Sequence, residues 1–108
     1  MIFESLWGSA QKGELILVNG GMCHFHLRRD KQLTIREIIV LPEFQGKGVG
    51  TGILGTLRAR DCASIFAKCP ATLDANKWYE AKKFVLEDIS YSKSGTKINH
   101  WRLELNEK

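Results

Sequence analysis

Apolar and polar residues alternate in short runs along most of the chain, which is typical of half-buried β-strands. Such runs cover residues 14–18, 22–29, 33–41, 84–91 and 97–105. The segments Asn19-Gly20-Gly21 and Ser94-Gly95 separate neighbouring runs and are typical of hairpin turns. The pattern therefore predicts a meander of three strands at the start of the chain and a hairpin at its end.

Two other stretches repeat their apolar residues at helical spacing. One face of the first predicted helix carries Val49, Ile53, Leu54 and Leu57, and the helix should end near Asp61. The second predicted helix has Asp74 as its N-cap and carries Ala75, Trp78 and Tyr79 on its apolar face. Residues 1–13 show a weaker pattern, which indicates a short strand or turn around residues 2–7.

The order of these elements predicts an α+β fold. Residues 64–69 form an apolar run that ends at Pro70, so a buried strand is expected after the first of the two helices. Strand 33–41, that helix and this strand would then form a β-α-β unit, whose strands are parallel. The hairpins make the other pairs antiparallel. We therefore expect a mixed, mostly antiparallel sheet with helices on its faces.

The composition is that of one small domain. The chain has 108 residues, of which 44% are hydrophobic, so residues 1–108 are expected to share one core. Its three cysteines are an odd number without a CxxC pair, which argues against a disulfide framework. No signal peptide or membrane span is visible, and a cytoplasmic location is expected. The net charge of +4 is dispersed, so it favours an anionic ligand more than nucleic acid.

Glycines interrupt this regular pattern where the first helix should begin. They occupy positions 46, 48, 50, 52 and 55, directly after Pro42-Glu-Phe. Each glycine in a helix costs about 1 kcal/mol relative to alanine, a cost expected where a ligand must approach the backbone closely. The free N–H groups of a helix N-terminus favour a phosphate group there. A flexible strand-to-helix turn is the simpler alternative.

Two common phosphate motifs do not fit these glycines. A Walker loop fails because Gly46-Lys47 is followed by Gly48, and a dinucleotide fingerprint fails because Thr51 stands where a third glycine is required. The motif that does fit is Gln-x-x-Gly-x-Gly, formed by residues 45–50 after an apolar strand and a proline. It resembles the acyl-CoA pyrophosphate loop of the GNAT superfamily of N-acetyltransferases.

A second segment, Ala75-Asn-Lys-Trp-Tyr-Glu-Ala-Lys-Lys-Phe84, is similar to the helix that carries the family's other signature. The resemblance implies acetyl-CoA as co-substrate. The expected cofactor-binding residues are Ile38, Ile39, Val40, Gln45, Gly46, Lys47, Gly48, Val49, Gly50 and Thr51. The loop would bind the pyrophosphate, and residues 38–40 would pair with the pantetheine arm between strands that splay at Pro42. The Ile38 N–H would polarise the thioester carbonyl.

The resemblance also implies catalytic roles. Tyr79 would donate a proton to the departing CoA thiolate, although a core aromatic is its simpler interpretation. Many family members carry a glutamate base at the position of Thr34, so Glu37 is the expected base if a bulge re-aims it. His24 and His26 are alternatives that packing or surface roles explain more simply. Cys23 faces away from both histidines, so no metal site is expected.

Together these features predict an acetyl-CoA-dependent N-acetyltransferase that acts on a primary amine in a ternary complex. A catalytically silent acyl-CoA-binding or protein-interaction module is the alternative, because the usual base is missing. The first 13 residues also leave no room for the two helices that usually precede the second strand in this family. A homodimer is expected, because apolar sheet or strand-edge surface would otherwise be exposed. Nucleic acid is the least favoured partner.

Overall fold

The computed structural model describes residues 2–105. Along the chain the elements are α1 (Ile2–Gln11), β1 (Leu15–Val18), β2 (Gly21–Leu27), β3 (Gln32–Val40), a 3-10 turn (Pro42–Phe44), α2 (Val49–Arg58), β4 (Ser64–Pro70), α3 (Ala75–Ala81), β5 (Val85–Tyr91) and β6 (Lys97–Glu104). Within residues 2–105, none of the helices combines the length and the apolar character that a membrane crossing requires.

The six strands form one sheet in the order β1-β2-β3-β4-β6-β5. Strands β3 and β4 pair in parallel, and all other neighbouring pairs are antiparallel. The mixed, mostly antiparallel sheet expected from the sequence is therefore confirmed. Strand β3 ends at Val40, two residues before Pro42, as the missing N–H of proline requires.

The first helix corrects a prediction. Residues 2–11 form an α-helix where the sequence pattern indicates a strand or turn around residues 2–7. Phe3 and Trp7 lie four residues apart on this helix, and their rings stack with centroids 6.4 Å apart. Gly8 weakens the helical pattern, because glycine has a low helix propensity. Helix α1 lies against β1 and β2.

One face of the sheet is buried beneath α2 and α3. This core face carries, among others, Cys23, Phe25, Leu33, Ile35, Ile65, Ala67, Trp101 and Leu103, packed against Ile53, Leu54 and Leu57 of α2 and Tyr79 of α3. The opposite face, here called the polar face, carries His24, His26, Thr34, Glu37, Phe66, His100 and Arg102. Most of these polar-face side chains are partly exposed, which leaves this side of the sheet more open than the core face.

Strand β3 is irregular at Arg36. His24 pairs with Glu37 while Phe25 pairs with Ile35, so Arg36 is an extra residue in a β-bulge. The parallel pairing of β3 with β4 ends at Ile35 and Ala67. Residues 36–40 therefore have no strand partner on the β4 side, although β4 continues to Pro70. The gap between β3 and β4 therefore begins at Arg36. The sequence predicts it at Pro42, six residues later.

Candidate active site

The glycine loop, residues 45–52, is held by its neighbours on both sides. A Cβ atom on Gly20 would lie 2.3 Å from Cγ of Phe44, so the absence of a side chain at Gly20 lets the Phe44 ring pack there. The Gln45 side-chain amide donates a hydrogen bond to the Val40 carbonyl at 3.1 Å. Gly48 forms the N-cap of α2 with φ of 88°, a left-handed conformation that glycine adopts without strain.

The loop presents a row of free backbone N–H groups. The first hydrogen bond of α2 runs from the Gly52 N–H to the Gly48 carbonyl at 2.9 Å. Within residues 2–105, no backbone carbonyl accepts a hydrogen bond from the N–H groups of residues 46–51. Together with the positive end of the helix dipole, these donors favour an anion at this point of the structure.

A pocket of about 710 Å³ opens between the loop, the end of β3 and α3. Its walls are formed by Ile38, Ile39, Val40, Gln45, Gly46, Gly48, Val49, Gly50, Thr51, Ala75, Trp78 and Lys82. Nine of the ten cofactor-binding residues expected from the sequence thus line one space. The tenth, Lys47, belongs to the loop but is not part of the pocket wall.

The wall opposite the loop comes from α3 and its C-cap. A Cβ atom on Gly50 would lie 3.0 Å from the Trp78 indole nitrogen, so the two helices are in close contact here. Lys82 reaches across and donates a hydrogen bond from Nζ to Oγ1 of Thr51 at 2.6 Å. It is the only charged side chain among the described residues of the wall. Sequence reasoning missed Lys82, although its spacing of four residues from Trp78 places both on one side of the helix.

Asp74 is the N-cap residue of α3, as the sequence predicts, although its side chain makes no capping hydrogen bond. Lys83, directly after the C-cap residue Lys82, takes the left-handed conformation with φ of 75°.

Tyr79 lies beneath the pocket rather than in its wall. It is 4% exposed, and its ring centroid lies 5.1 Å from that of Phe84 and 6.2 Å from that of Trp101. Burial raises the pKa of the Tyr79 phenol, and the neighbouring thiols of Cys69 and Cys23 raise it further. Burial also raises the pKa of Cys23, to about 12. The phenol is therefore protonated at neutral pH.

Glu37 lies on the polar face, outside the pocket wall. Strict alternation from Ile35 would turn Glu37 towards the core, and the bulge at Arg36 brings it opposite His24 on the polar face instead. Its carboxylate is exposed, whereas His24 is only 7% exposed. The base assignment requires a bulge that turns Glu37 to the side of Ile38 and Val40, and the bulge at Arg36 does not do this, because Glu37 and Ile38 still alternate opposite His24 and Cys23. Glu37 still points to the opposite side of the strand from Ile38 and Val40.

A family model of the acetyltransferase (GNAT) domain matches residues 4–86. This span contains the glycine loop, helix α3 and residues 36–40 of β3, which have no partner in β4. The chain belongs to the GNAT family of acetyltransferases. GNAT enzymes use acetyl-CoA.

Solved GNAT structures share this fold at low sequence identity. A Bacillus cereus GNAT-family acetyltransferase superposes with a TM-score of 0.79 at 16% identity, over 94% of this chain and 77% of that chain. The Escherichia coli ribosomal-protein-S18-alanine N-acetyltransferase gives 0.70 at 21% identity, over 94% and 76% of the two chains. A Bacillus anthracis protein in complex with acetyl coenzyme A, described as a streptothricin acetyltransferase, gives 0.70 at 17% identity.

The alignment with the acetyl coenzyme A complex covers 81% of this chain and 57% of the other. The alignment with a GNAT-family chain from Desulfovibrio desulfuricans covers 61% of that chain. The GNAT protein described here therefore spans less than two thirds of several structures that share its fold. No curated protein matches its sequence.

Proposed function

We propose that the protein is an acetyl-CoA-dependent N-acetyltransferase that transfers an acetyl group to a primary amine by direct attack in a ternary complex. One observation carries this proposal. The pocket joins the unpaired segment of β3 to the free N–H groups of the glycine loop, in a chain whose family uses acetyl-CoA.

The expected cofactor position follows from these two parts. The pyrophosphate would accept hydrogen bonds from the N–H groups of residues 46–51, and Gln45 would border it. The pantetheine arm would lie along residues 38–40, which have no strand partner on the β4 side. The Ile38 N–H would donate to the thioester oxygen, where negative charge develops as the amine attacks.

The chemistry needs an acid for the leaving thiolate and a base for the amine. The nitrogen lone pair forms a bond to the thioester carbon, and the C–S bond breaks with its electrons going to sulfur. Tyr79 would give its proton to that sulfur, because its phenol is protonated at neutral pH. Glu37 is the carboxylate side chain of β3 on the polar face. It is the general base expected from the sequence.

A catalytically silent acyl-CoA-binding module is the second candidate. The observation that favours it is that the exposed Glu37 carboxylate lies outside the pocket wall. Thiol release from acetyl-CoA with spermidine, tyramine and an alanine-terminated tripeptide separates the two candidates when combined with thermal denaturation. Turnover of any amine supports the transferase. A rise in melting temperature with acetyl-CoA but no thiol release supports the silent module, and neither response refutes both.

We also propose that the protein forms a homodimer through β5. Among residues 2–105, this strand pairs only with β6, so it lies at an edge of the sheet. The strand exposes Val85, Leu86, Ile89 and Tyr91, with Val85 and Tyr91 64% and 68% exposed. A second copy paired along this edge would cover these apolar side chains. Light scattering at micromolar concentration should give the mass of a dimer, and a monomer mass would contradict the proposal.

A further inference from the structure

Three charged side chains stand where the gap between β3 and β4 begins. The last paired residues of the two strands are Ile35 and Ala67, so Arg36 and Lys68 are the first residues on either side of the gap. Glu37 follows Arg36 on β3. All three side chains are exposed, and within the described part of the chain none of them has a hydrogen bond or an ion pair. These three side chains, here called the entrance charges, are therefore available to a ligand.

The polar face is the side from which a second substrate can reach the gap. Glu37 is in register with His24, and Lys68 is in register with His100, so both project from the polar face. Arg36, the bulged residue, is exposed and is not part of the pocket wall on the core side. Helices α2 and α3 cover the core side, whereas α1 contacts mainly β1 and β2. An acceptor that approaches from the polar face thus meets the entrance charges first.

The spacing along the strands relates the entrance charges to the expected thioester. A strand rises about 3.3 Å per residue, so Arg36 lies at most about 7 Å before Ile38, whose N–H would hold the thioester oxygen. Lys68 stands on the facing strand, one residue past the end of the pairing. Lysine and arginine carry their charges at the end of long, flexible stems that span such a distance. An amine at the thioester and an anionic group bound by these two cations can therefore belong to one small molecule.

We propose that the acceptor is a free amino acid, whose carboxylate binds Arg36 and Lys68 while its amine attacks the thioester. This inference rests on the proposed acetyl transfer and names its acceptor class. A guanidinium group can hold both oxygens of a carboxylate, and the lysine ammonium adds a second positive charge. The amine nitrogen bonds to the thioester carbon and gives up one proton to the base. The sulfur leaves with the C–S electrons and takes up a proton, so the products are an N-acetylamino acid and CoA.

The local charge decides between classes of acceptor. Two pairs elsewhere on the polar face are already neutralised: Nδ1 of His26 lies 2.7 Å from Oε2 of Glu14, and Arg102 donates to Oε1 of Glu87 at 2.8 Å. The entrance charges are two cations and one carboxylate, so their net charge is positive. They would repel a polyamine, and an amine without an anionic group would leave both cations unpaired. A zwitterionic amino acid provides partners for charges of both signs.

The first test compares each protein amino acid with its own carboxamide, by thiol release from acetyl-CoA. The amide keeps the side chain and the amine, and its less basic amine has the larger unprotonated fraction at neutral pH. A preference for the acid therefore cannot come from the reactivity of the amine. We expect kcat/KM for the best amino acid to exceed that for its amide at least about tenfold, as a hydrogen bond between charged groups contributes.

Two substitutions connect this preference with the two cations. Arg36→Met and Lys68→Met keep an unbranched stem and remove the charge. Each should raise the KM for the amino acid about tenfold, and should leave both kcat/KM for the amide and the KM for acetyl-CoA within about twofold. Lys93→Met is the matched control, because Lys93 is an exposed lysine in the turn between β5 and β6. It should change none of these constants.

Charge reversal separates recognition from structure. Lys68→Glu should make the amide at least as good a substrate as the acid, because a carboxylate at this position repels the carboxylate of the acceptor. A substitution that only distorts the sheet would lower the two rates together and leave their ratio unchanged.

Each outcome supports or overturns the acceptor class. Faster turnover of spermidine, tyramine or the alanine-terminated tripeptide than of any amino acid overturns it and leaves acetyl transfer standing. Equal rates for acids and amides overturn it as well, and so does a preference for the acid that survives both substitutions by methionine. A wild type that binds acetyl-CoA but acetylates no amine refutes acetyl transfer, and the acceptor class with it.

Discussion

The two sides of the gap between β3 and β4 present different chemical groups: mainly backbone groups on one side and side chains on the other. On the core side, the pocket proposed for acetyl-CoA consists of main-chain N–H groups, glycines and apolar walls, with Lys82 as the one charged side chain among its described residues. On the polar side, the chemical groups are side chains such as His26, Glu14 and Glu37. A site made of backbone fixes the shape of its ligand, whereas a site made of side chains can change with few substitutions. One fold can thus keep acetyl-CoA and vary its amine.

The largest loss of acetyl-CoA binding should come from adding a side chain to the glycine loop. Gly48→Val adds a branched side chain at φ of 88°, where the loop is expected to approach phosphate oxygens. We expect the rise in melting temperature with millimolar acetyl-CoA to disappear, which corresponds to a loss of affinity of more than about 100-fold. The measurement is thermal denaturation with and without acetyl-CoA, after circular dichroism has confirmed that the variant folds.

Gly52→Ala is the control for this substitution. A Cβ atom at Gly52 meets nothing within 4 Å, and the position lies inside α2. This variant should bind acetyl-CoA like the wild type and be more stable by about 1 kcal/mol, because alanine favours a helix over glycine. A full acetyl-CoA response in Gly48→Val would show that the loop does not hold the cofactor. If that variant does not fold, Gly48→Ala tests the same point with a smaller side chain.

The contrast between the two sides also explains what could be predicted from the sequence. The glycine loop was predictable because backbone donors at a helix N-terminus restrict residue type over six consecutive positions. The strands around it were predictable because alternation is a local signal, and nine of ten expected cofactor residues do line one pocket. The sequence does not indicate Lys82, because its hydrogen bond to Thr51 joins residues that are 31 positions apart in the chain.

The polar side depends on features that no local pattern contains. The bulge at Arg36 decides which face Glu37 occupies, and it arises from the pairing of β3 with β2. The contact between Glu14 and His26 joins residues that a hairpin brings together, and alternation alone places only His26 on a face. The sequence of helix α1 indicates a strand or turn instead, because Gly8 interrupts its short helical pattern. Long-range register, rather than residue type, sets these arrangements.

The next prediction concerns Tyr79, which is buried on the core side beneath the pocket. Tyr79→Phe keeps the ring contacts with Phe84 and Trp101 and removes only the hydroxyl. We expect kcat to fall about 100-fold while acetyl-CoA binding is nearly unchanged. Because burial raises the pKa of the phenol, its ionisation should not limit activity below about pH 9.

Kinetics and stability together decide the role of the hydroxyl. Full activity in Tyr79→Phe would assign the proton donor to solvent or to another group. A lower melting temperature without a kinetic defect in the folded fraction would make Tyr79 a core aromatic. Either result would leave the cofactor side as a binding surface that supplies no acid.

The smallest loss of acetyl-CoA affinity is expected from a substitution of Lys82. This substitution tests whether backbone N–H groups, rather than a side chain, provide most of the binding. Lys82→Met keeps an unbranched stem beside Trp78 and removes the charge that reaches Thr51. The six free N–H groups remain, so the affinity for acetyl-CoA should fall only about three- to tenfold. The loss should shrink as salt is raised, because a partly exposed charge is screened. Titration calorimetry at two salt concentrations measures both quantities.

Lys47→Met is the matched comparison for this last variant. Lys47 belongs to the glycine loop but does not form part of the pocket wall, so its loss should weaken binding less than the loss of Lys82. Equal effects of the two variants would mean that only net charge attracts the cofactor. If Lys82→Met instead abolished binding as completely as Gly48→Val, one side chain would dominate the pocket. A single substitution could then alter ligand binding on the core side as easily as on the polar side.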